Sequence, residues 1–440
     1  MTRWTRCFFL LCFAMHSFVF AQTPDADFSD KADPDARDMD ALRRWVRDKR
    51  FITMKEVGGD LSLSGEVRTE FQATNERLNG IQQRDNPGVT GGRVKPMYAW
   101  DVEFNLMLDY RRERTWAALK VEFDNDMGLR SGTVNKVSLE KAYLGGRVIE
   151  EDTFIMDAEL GRRYFFHVYD SKVEFGALYD GFCLRVNKAF EQIGSFYFNG
   201  GAFLTNDFTN HYGWVGELGA LDVANTGVYL KYSLIDWYRP GGEEEPGNTV
   251  LETALTNQRF RFLVSQLLAY YQTYPNWIGK RMIKCYAAGL VNHIALSSNF
   301  VETPKGRVQI IPTGGKKANI AWYAGVAIGV VKKARDWAVD VNYQWVQAQA
   351  YPSFDNTGIG RGNSAGLGLY TVDADGSGGP TTQETAGGNT NFKGFLIEAL
   401  YALTDNLTVQ QYFRYSNTLD ANIGPNEKYR QYEIEFVFAF

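Results

Sequence analysis

Cysteine is scarce: there are four in 440 residues, and two of them, Cys7 and Cys12, stand in an apolar stretch near the N-terminus. The other two, Cys183 and Cys285, cannot build a disulfide framework; one bridge is the most they allow, and small wall residues are the plainer reading. Histidine is equally sparse, and no His or Cys spacing suits a zinc site. Gly314-Gly315-Lys316-Lys317 lacks the spacing and the hydroxyl of a phosphate-binding loop. No metal or cofactor is therefore expected. Basic excess is missing too. Forty-seven Lys and Arg against 52 Asp and Glu leave a net charge of −5, which argues against a nucleic-acid partner, since that would want a basic face. Long apolar runs are absent beyond the first twenty residues. The longest, 320–331, falls well short of the ~20 residues a spanning helix needs.

What is present begins with an export signal over residues 1–21. Arg3 and Arg6 supply the positive start, Cys7 to Phe20 the apolar stretch, and Val19-Phe20-Ala21 a small-residue cleavage site before Gln22. The apolar run is short for an anchor, and the bulky Leu11 before Cys12 argues against a lipoprotein. Cleavage removes two bases, leaving about −7. Residues 22–58 read as a polar periplasmic extension. Within it, 38–50 carries Met39, Leu42 and Trp45 at helical spacing with acids first and bases last, which predicts a short helix. A solvated extension and a helix that plugs a barrel or mediates assembly both fit.

From Gly59 to Phe440 the period becomes two. Leu61, Leu63, Val67 and Phe71 alternate with Ser62, Ser64, Glu66, Arg68, Glu70 and Gln72. Tyr98, Trp100, Val102, Phe104, Leu106, Leu108 and Tyr110 share one face, against Asp101, Glu103, Asn105 and Asp109. The pattern returns around Leu119–Phe123, Trp337–Trp345 and Leu407–Tyr415. An apolar face bounded by aromatic rings, backed by a charged face, suits a transmembrane strand between lipid and water better than a soluble sandwich. Two segments are less clean. Lys141 falls on the expected lipid face, and 261–272 can be phased either way.

Link lengths give an independent test, because such barrels alternate short turns with long loops. Short links fall at 111–114, 149–152, 191–194, 224–226, 332–336 and 404–406, with a longer turn at 274–280. Longer ones fall at 73–95, 126–135, 164–179, 239–257, 299–316, 350–391 and 418–428, with a brief loop at 207–212. The prediction is an all-β, antiparallel transmembrane barrel of about sixteen strands, preceded by the short helical extension.

Phe440 ends the last strand, and Phe438, Phe436, Ile434 and Tyr432 share its face, with Glu433 and Glu435 on the other. This terminal strand resembles the signature by which outer-membrane proteins are recognised for insertion. The segments 392–417 and 142–146 are similar to bacterial porin sequences. The resemblance implies an outer-membrane barrel delivered to the barrel-assembly machinery and embedded in outer-membrane lipid. It also implies a homotrimer and passive diffusion of small hydrophilic solutes. It further implies that the third long loop, 164–179, folds into the lumen. Constriction residues would then be Arg163, Asp170, Lys172, Glu174, Asp180 and Arg185, with Arg68, Glu66, Glu70 and Lys120 on the facing wall. Opposed charges there would set a transverse field that orients polar solutes.

Two other classes stay open. A barrel protease or phospholipase would need a nucleophile and base at the rim; His211 beside Asn210 and His167 near Asp170 are the candidates. A surface adhesin would use the Gly-rich stretch 358–388.

Overall fold

The alternation that runs along the chain is what a sheet needs when its two faces meet different surroundings. In the computed structural model it produces a closed barrel. The structure describes residues 52–56, 59–88, 96–127, 136–190, 192–206, 211–239, 262–295, 297, 299–303, 306–310, 317–352, 355–359, 370–371, 385–386, 390–421 and 426–440. The expected signal and the helix at 38–50 lie outside these residues.

Sixteen strands make the wall: β1 Gly59–Leu78, β2 Tyr98–Arg112, β3 Thr115–Asp126, β4 Lys136–Glu151, β5 Phe154–Tyr164, β6 Leu178–Phe190, β7 Gly194–Asn206 and β8 His211–Leu221. They continue as β9 Val228–Arg239, β10 Leu263–Thr273, β11 Ile283–Asn292, β12 Ile320–Ile328, β13 Trp337–Val346, β14 Phe392–Ala402, β15 Leu407–Thr418 and β16 Glu427–Ala439. Each pairs antiparallel with its neighbours in sequence. The seam closes where Glu66–Leu78 of β1 meets Ala439–Glu427 of β16. Closure satisfies every strand edge from within, which is the condition for an extended chain to cross lipid.

The seam has its own finish. Gly65 and Phe440 exchange two backbone hydrogen bonds of 3.0 Å. A Cβ on Gly65 would stand 2.5 Å from the Phe440 ring, so the terminal ring needs a glycine beneath it. Beyond that point β16 has ended, and a short strand, Ile52–Glu56, takes its place against Leu63–Gly59. The last residues of the expected polar extension thus cover what would be an open edge of β1.

The faces sort as predicted. Leu160, Leu218 and Leu267 point outward and are more than half exposed, and Phe436, Phe438 and Phe440 share that outer face. Inward positions on β1 and β16 include Ser64, Glu66, Thr74, Glu76, Gln431, Glu433 and Glu435, all buried. Short turns and longer loops alternate around the barrel, save that the link 207–210 is shorter than the turn 222–227 after it, so β1 begins and β16 ends at the short-turn end.

Two local readings are corrected and one left open is settled. Strand β1 continues to Leu78, well into the segment expected to be loop, with Arg77 and Leu78 still paired to β16. A register shift opposite Lys120/Val121 leaves Glu140 as the extra residue and pairs Lys120 with Lys141, which turns Lys141 inward. In β10, Val264, Gln266, Leu268 and Tyr270 face inward and Leu267 and Tyr271 outward, which settles its phase. The loop at 299–316 carries a separate hairpin, Asn299–Thr303 with Gly306–Ile310.

Candidate pore lumen

The inward face is of two kinds. On β7 to β12 it carries apolar side chains, among them Phe203, Val215, Ile235, Trp237, Val264, Leu268, Leu290 and Tyr323, all buried. Apolar groups lining a water-filled lumen would be costly to hydrate, and here they are covered from within. Residues 165–177, between β5 and β6, supply Phe165, Tyr169, Val173 and Phe175, each at most 2% exposed. Phe165 meets Phe203 edge-on at 4.8 Å and Trp237 at 5.4 Å. The stretch after β13 adds Tyr351 and Ile359 to the same cluster. Two inward-folded loops and one side of the barrel thus share a core.

Polar anchors fix these loops. The Asp170 amide donates to Glu217 of β8 at 3.2 Å, its carboxylate meets Lys231 of β9 at 3.2 Å, and its carbonyl accepts from Gln266 of β10 at 2.7 Å. Lys172 donates to Asp340 of β13 at 2.6 Å, and Tyr286 donates to the other oxygen of that carboxylate at 2.5 Å. Asp355, in the second loop, accepts from the amides of Phe175 and Ala177, both at 3.0 Å, while the Gly176 amide donates to its carbonyl. A Cβ on Gly176 would lie 2.4 Å from the Asn356 carbonyl oxygen, so the two loops meet backbone to backbone. Beside this junction Glu174 is 1% exposed. Burial first, and the neighbouring Asp355 second, push its carboxyl well above the usual range.

Against the other wall lies a cavity of about 690 Å³. Six carboxylates line it (Glu66, Glu70, Glu103, Glu122, Glu140, Glu433), with six bases (Arg68, Lys120, Lys141, Arg163, Arg185, Arg414). The parity of β1 to β6, β15 and β16 puts them there. Most are engaged with one another: Arg68 with Glu66 and Glu103, Lys120 with Glu122 and Glu140, Arg414 with Glu433. Arg163 pairs with Glu159 and lies over the Tyr143 ring. The loop side contributes Tyr164, Phe166, His167, Thr357 and Gly358.

The residues singled out from sequence therefore separate into three places. Glu66, Arg68, Glu70, Lys120, Arg163 and Arg185 meet around the cavity. Asp170, Lys172 and Glu174 do not; they are held inside the loop packing, against the far wall or the second loop. Asp180 lies elsewhere again. It shares the outer face with Leu178 and Phe182 and makes a two-pronged pair with Arg162, both bonds 2.7 Å. Its expected place at the constriction is corrected by strand parity, because Tyr179 and Cys183 are the inward residues there. The sequence reading left out Glu103, Glu122, Glu140, Arg414 and Glu433, which the same inward parity could have supplied.

Carboxylate oxygens of Glu70, Glu433 and Glu435 lie within 4.8 Å of one another, a hard-oxygen set of the kind that suits Ca²⁺ or Mg²⁺, although Arg414 already offsets Glu433. His167 is set edge-on among rings at the cavity, and the His211 side chain lies outside the described residues. His293 meets the Ser265 hydroxyl at 2.7 Å, but among the described residues no carboxylate bonds its ring to orient it as a general base. Cys183 is buried and Cys285 exposed, and both are free thiols.

No protein-family model matches the chain, and no curated protein matches it in sequence. Among solved structures it is similar to Salmonella typhi OmpF in complex with daunomycin, at 12% identity and a TM-score of 0.47, covering 88% of this chain and 100% of that one. It is similar also to the outer-membrane channel DcaP of Acinetobacter baumannii, at 10% identity and 0.45, covering 88% and 99%. Pseudomonas putida OprB aligns at 12% and 0.48, covering 92% and 97%. With scores under 0.5, none of these likenesses says what this chain does.

Proposed function

We propose that the chain is an outer-membrane channel of the porin type, through which small hydrophilic solutes pass by passive diffusion. The observation that carries this reading is the charged cavity left between the inward-folded loops and the wall of β1 to β6, β15 and β16. A sixteen-strand barrel encloses more space than its own side chains fill, and the loops here reduce that space without lining all of it with apolar groups. The apolar outer face suits outer-membrane lipid, and the strand ending at Phe440 suits recognition by the barrel-assembly machinery. Export through a cleaved signal and assembly as a homotrimer belong to the same reading. An enzyme is less favoured, since His293 lacks an orienting acid among the described residues and His167 is held among rings.

Refolded protein in a planar bilayer is expected to give step-like, ohmic conductance. A barrel that is shown to be folded and inserted but carries no current would overturn the reading.

A further inference from the structure

Because Asp170 and Lys172 are tied to the far wall and Glu174 is buried, the groups that the end of β5 and the start of the 165–177 segment bring to the cavity are aromatic. Tyr164 stacks on Phe166 with centroids 4.9 Å apart and ring planes 17° from parallel, and His167 sets itself edge-on to Phe166 at 4.5 Å. All three are half-buried and line the cavity. The wall contributes carboxylates and bases in equal number, so charge of either sign finds a counter-charge there. The cavity is thus amphipathic in a particular way, with a stacked ring shelf on the loop side and both signs of charge on the strands.

From this we infer that the cavity favours zwitterionic solutes that carry an aromatic ring, with Phe166 as the residue that sets the preference. A flat ring can join the Tyr164–Phe166 stack, while an ammonium and a carboxylate each meet an opposite charge on the wall. An aliphatic zwitterion keeps the charge contacts and loses the stack. The volume, about 690 Å³, lies in the range of small-molecule sites. This inference rests on the channel reading and deepens it by naming a solute class.

The test is transient interruption of potassium chloride current through the full-length protein by phenylalanine and by cyclohexylalanine. The two have the same charges and length, and differ in ring aromaticity. Phenylalanine is expected to dwell longer by about threefold or more, the size of a ring–ring preference. In Phe166→Leu the ratio of the two dwell times should fall to about one, and in Phe166→Tyr it should be kept. The ratio is internal to each variant, so a change in pore size does not imitate the effect. A ratio of one in the unaltered protein, or one that survives Phe166→Leu, overturns the inference while leaving a conducting channel. A silent bilayer overturns the channel reading and the inference with it.

Discussion

At the scale of single residues, Glu174 is an acid held almost wholly out of water. It lies on a loop, 1% exposed, with Asp355 beside it. Its carboxyl is raised well above the ordinary value of 4.5 by burial and by that neighbour. An acid with a higher pKa folded than unfolded takes up a proton on folding. Its favourable contribution is therefore complete below the unfolded value and is lost as pH rises through the folded one. Glu174→Gln removes this dependence. The heat-unfolding midpoints of the two proteins in detergent should coincide at acid pH, and the unaltered protein should fall progressively below the variant as pH is raised toward neutral. Parallel curves at all pH values would mean that Glu174 keeps its charge when folded. Asp170 and Lys172 have different surroundings, each paired to an opposite charge on the wall.

At the scale of elements, the barrel strands were legible and the loops were not, for one physical reason. A strand's side chains alternate without choice, so parity, once one residue is placed, places the rest. Glu66, Arg68 and Lys120 were found that way. Loop residues have no such constraint, and Asp170, Lys172 and Glu174 turned toward the far wall and the second loop. Parity itself fails where a bulge adds a residue, as Glu140 does before Lys141. It is hard to read in β10, where lipid lies outside and the loop core inside, so both faces are apolar. Strand β1 outlasted its apolar pattern because backbone pairing continues past the point where Asn75 and Arg77 occupy its outer face. The loop packing also makes a prediction. Asp355 accepts two amides of the first loop, a contact worth roughly 3 kcal/mol or more for a charged acceptor. Asp355→Ala should release both loops from each other and raise single-channel conductance, with noisier open levels. Unchanged conductance in a protein that still shows the heat-modifiable migration of a folded barrel would place the restriction elsewhere.

At the scale of the whole molecule, the net charge of −5 is a poor guide to what the lumen prefers, because selectivity depends on the charges at the narrow part. There the six carboxylates and six bases balance, and most are engaged with each other. A balanced, mutually paired lining gives little net potential for ions to follow. In a tenfold potassium chloride gradient the reversal potential should therefore lie far inside the ~59 mV limit for a perfectly selective univalent pore. The balance is of the total and not of every neighbourhood, and Arg414 is where it is most exposed to change. Its guanidinium meets Glu433 at 2.5 Å, and Glu433 lies within a group whose other members are Glu70 and Glu435. Arg414→Gln removes the cation paired with Glu433. The reversal potential should move toward cation selectivity, and more so in dilute salt, where screening reaches less far. A strongly selective unaltered channel, or an Arg414→Gln channel that conducts with no shift, would show that ions do not pass along this wall.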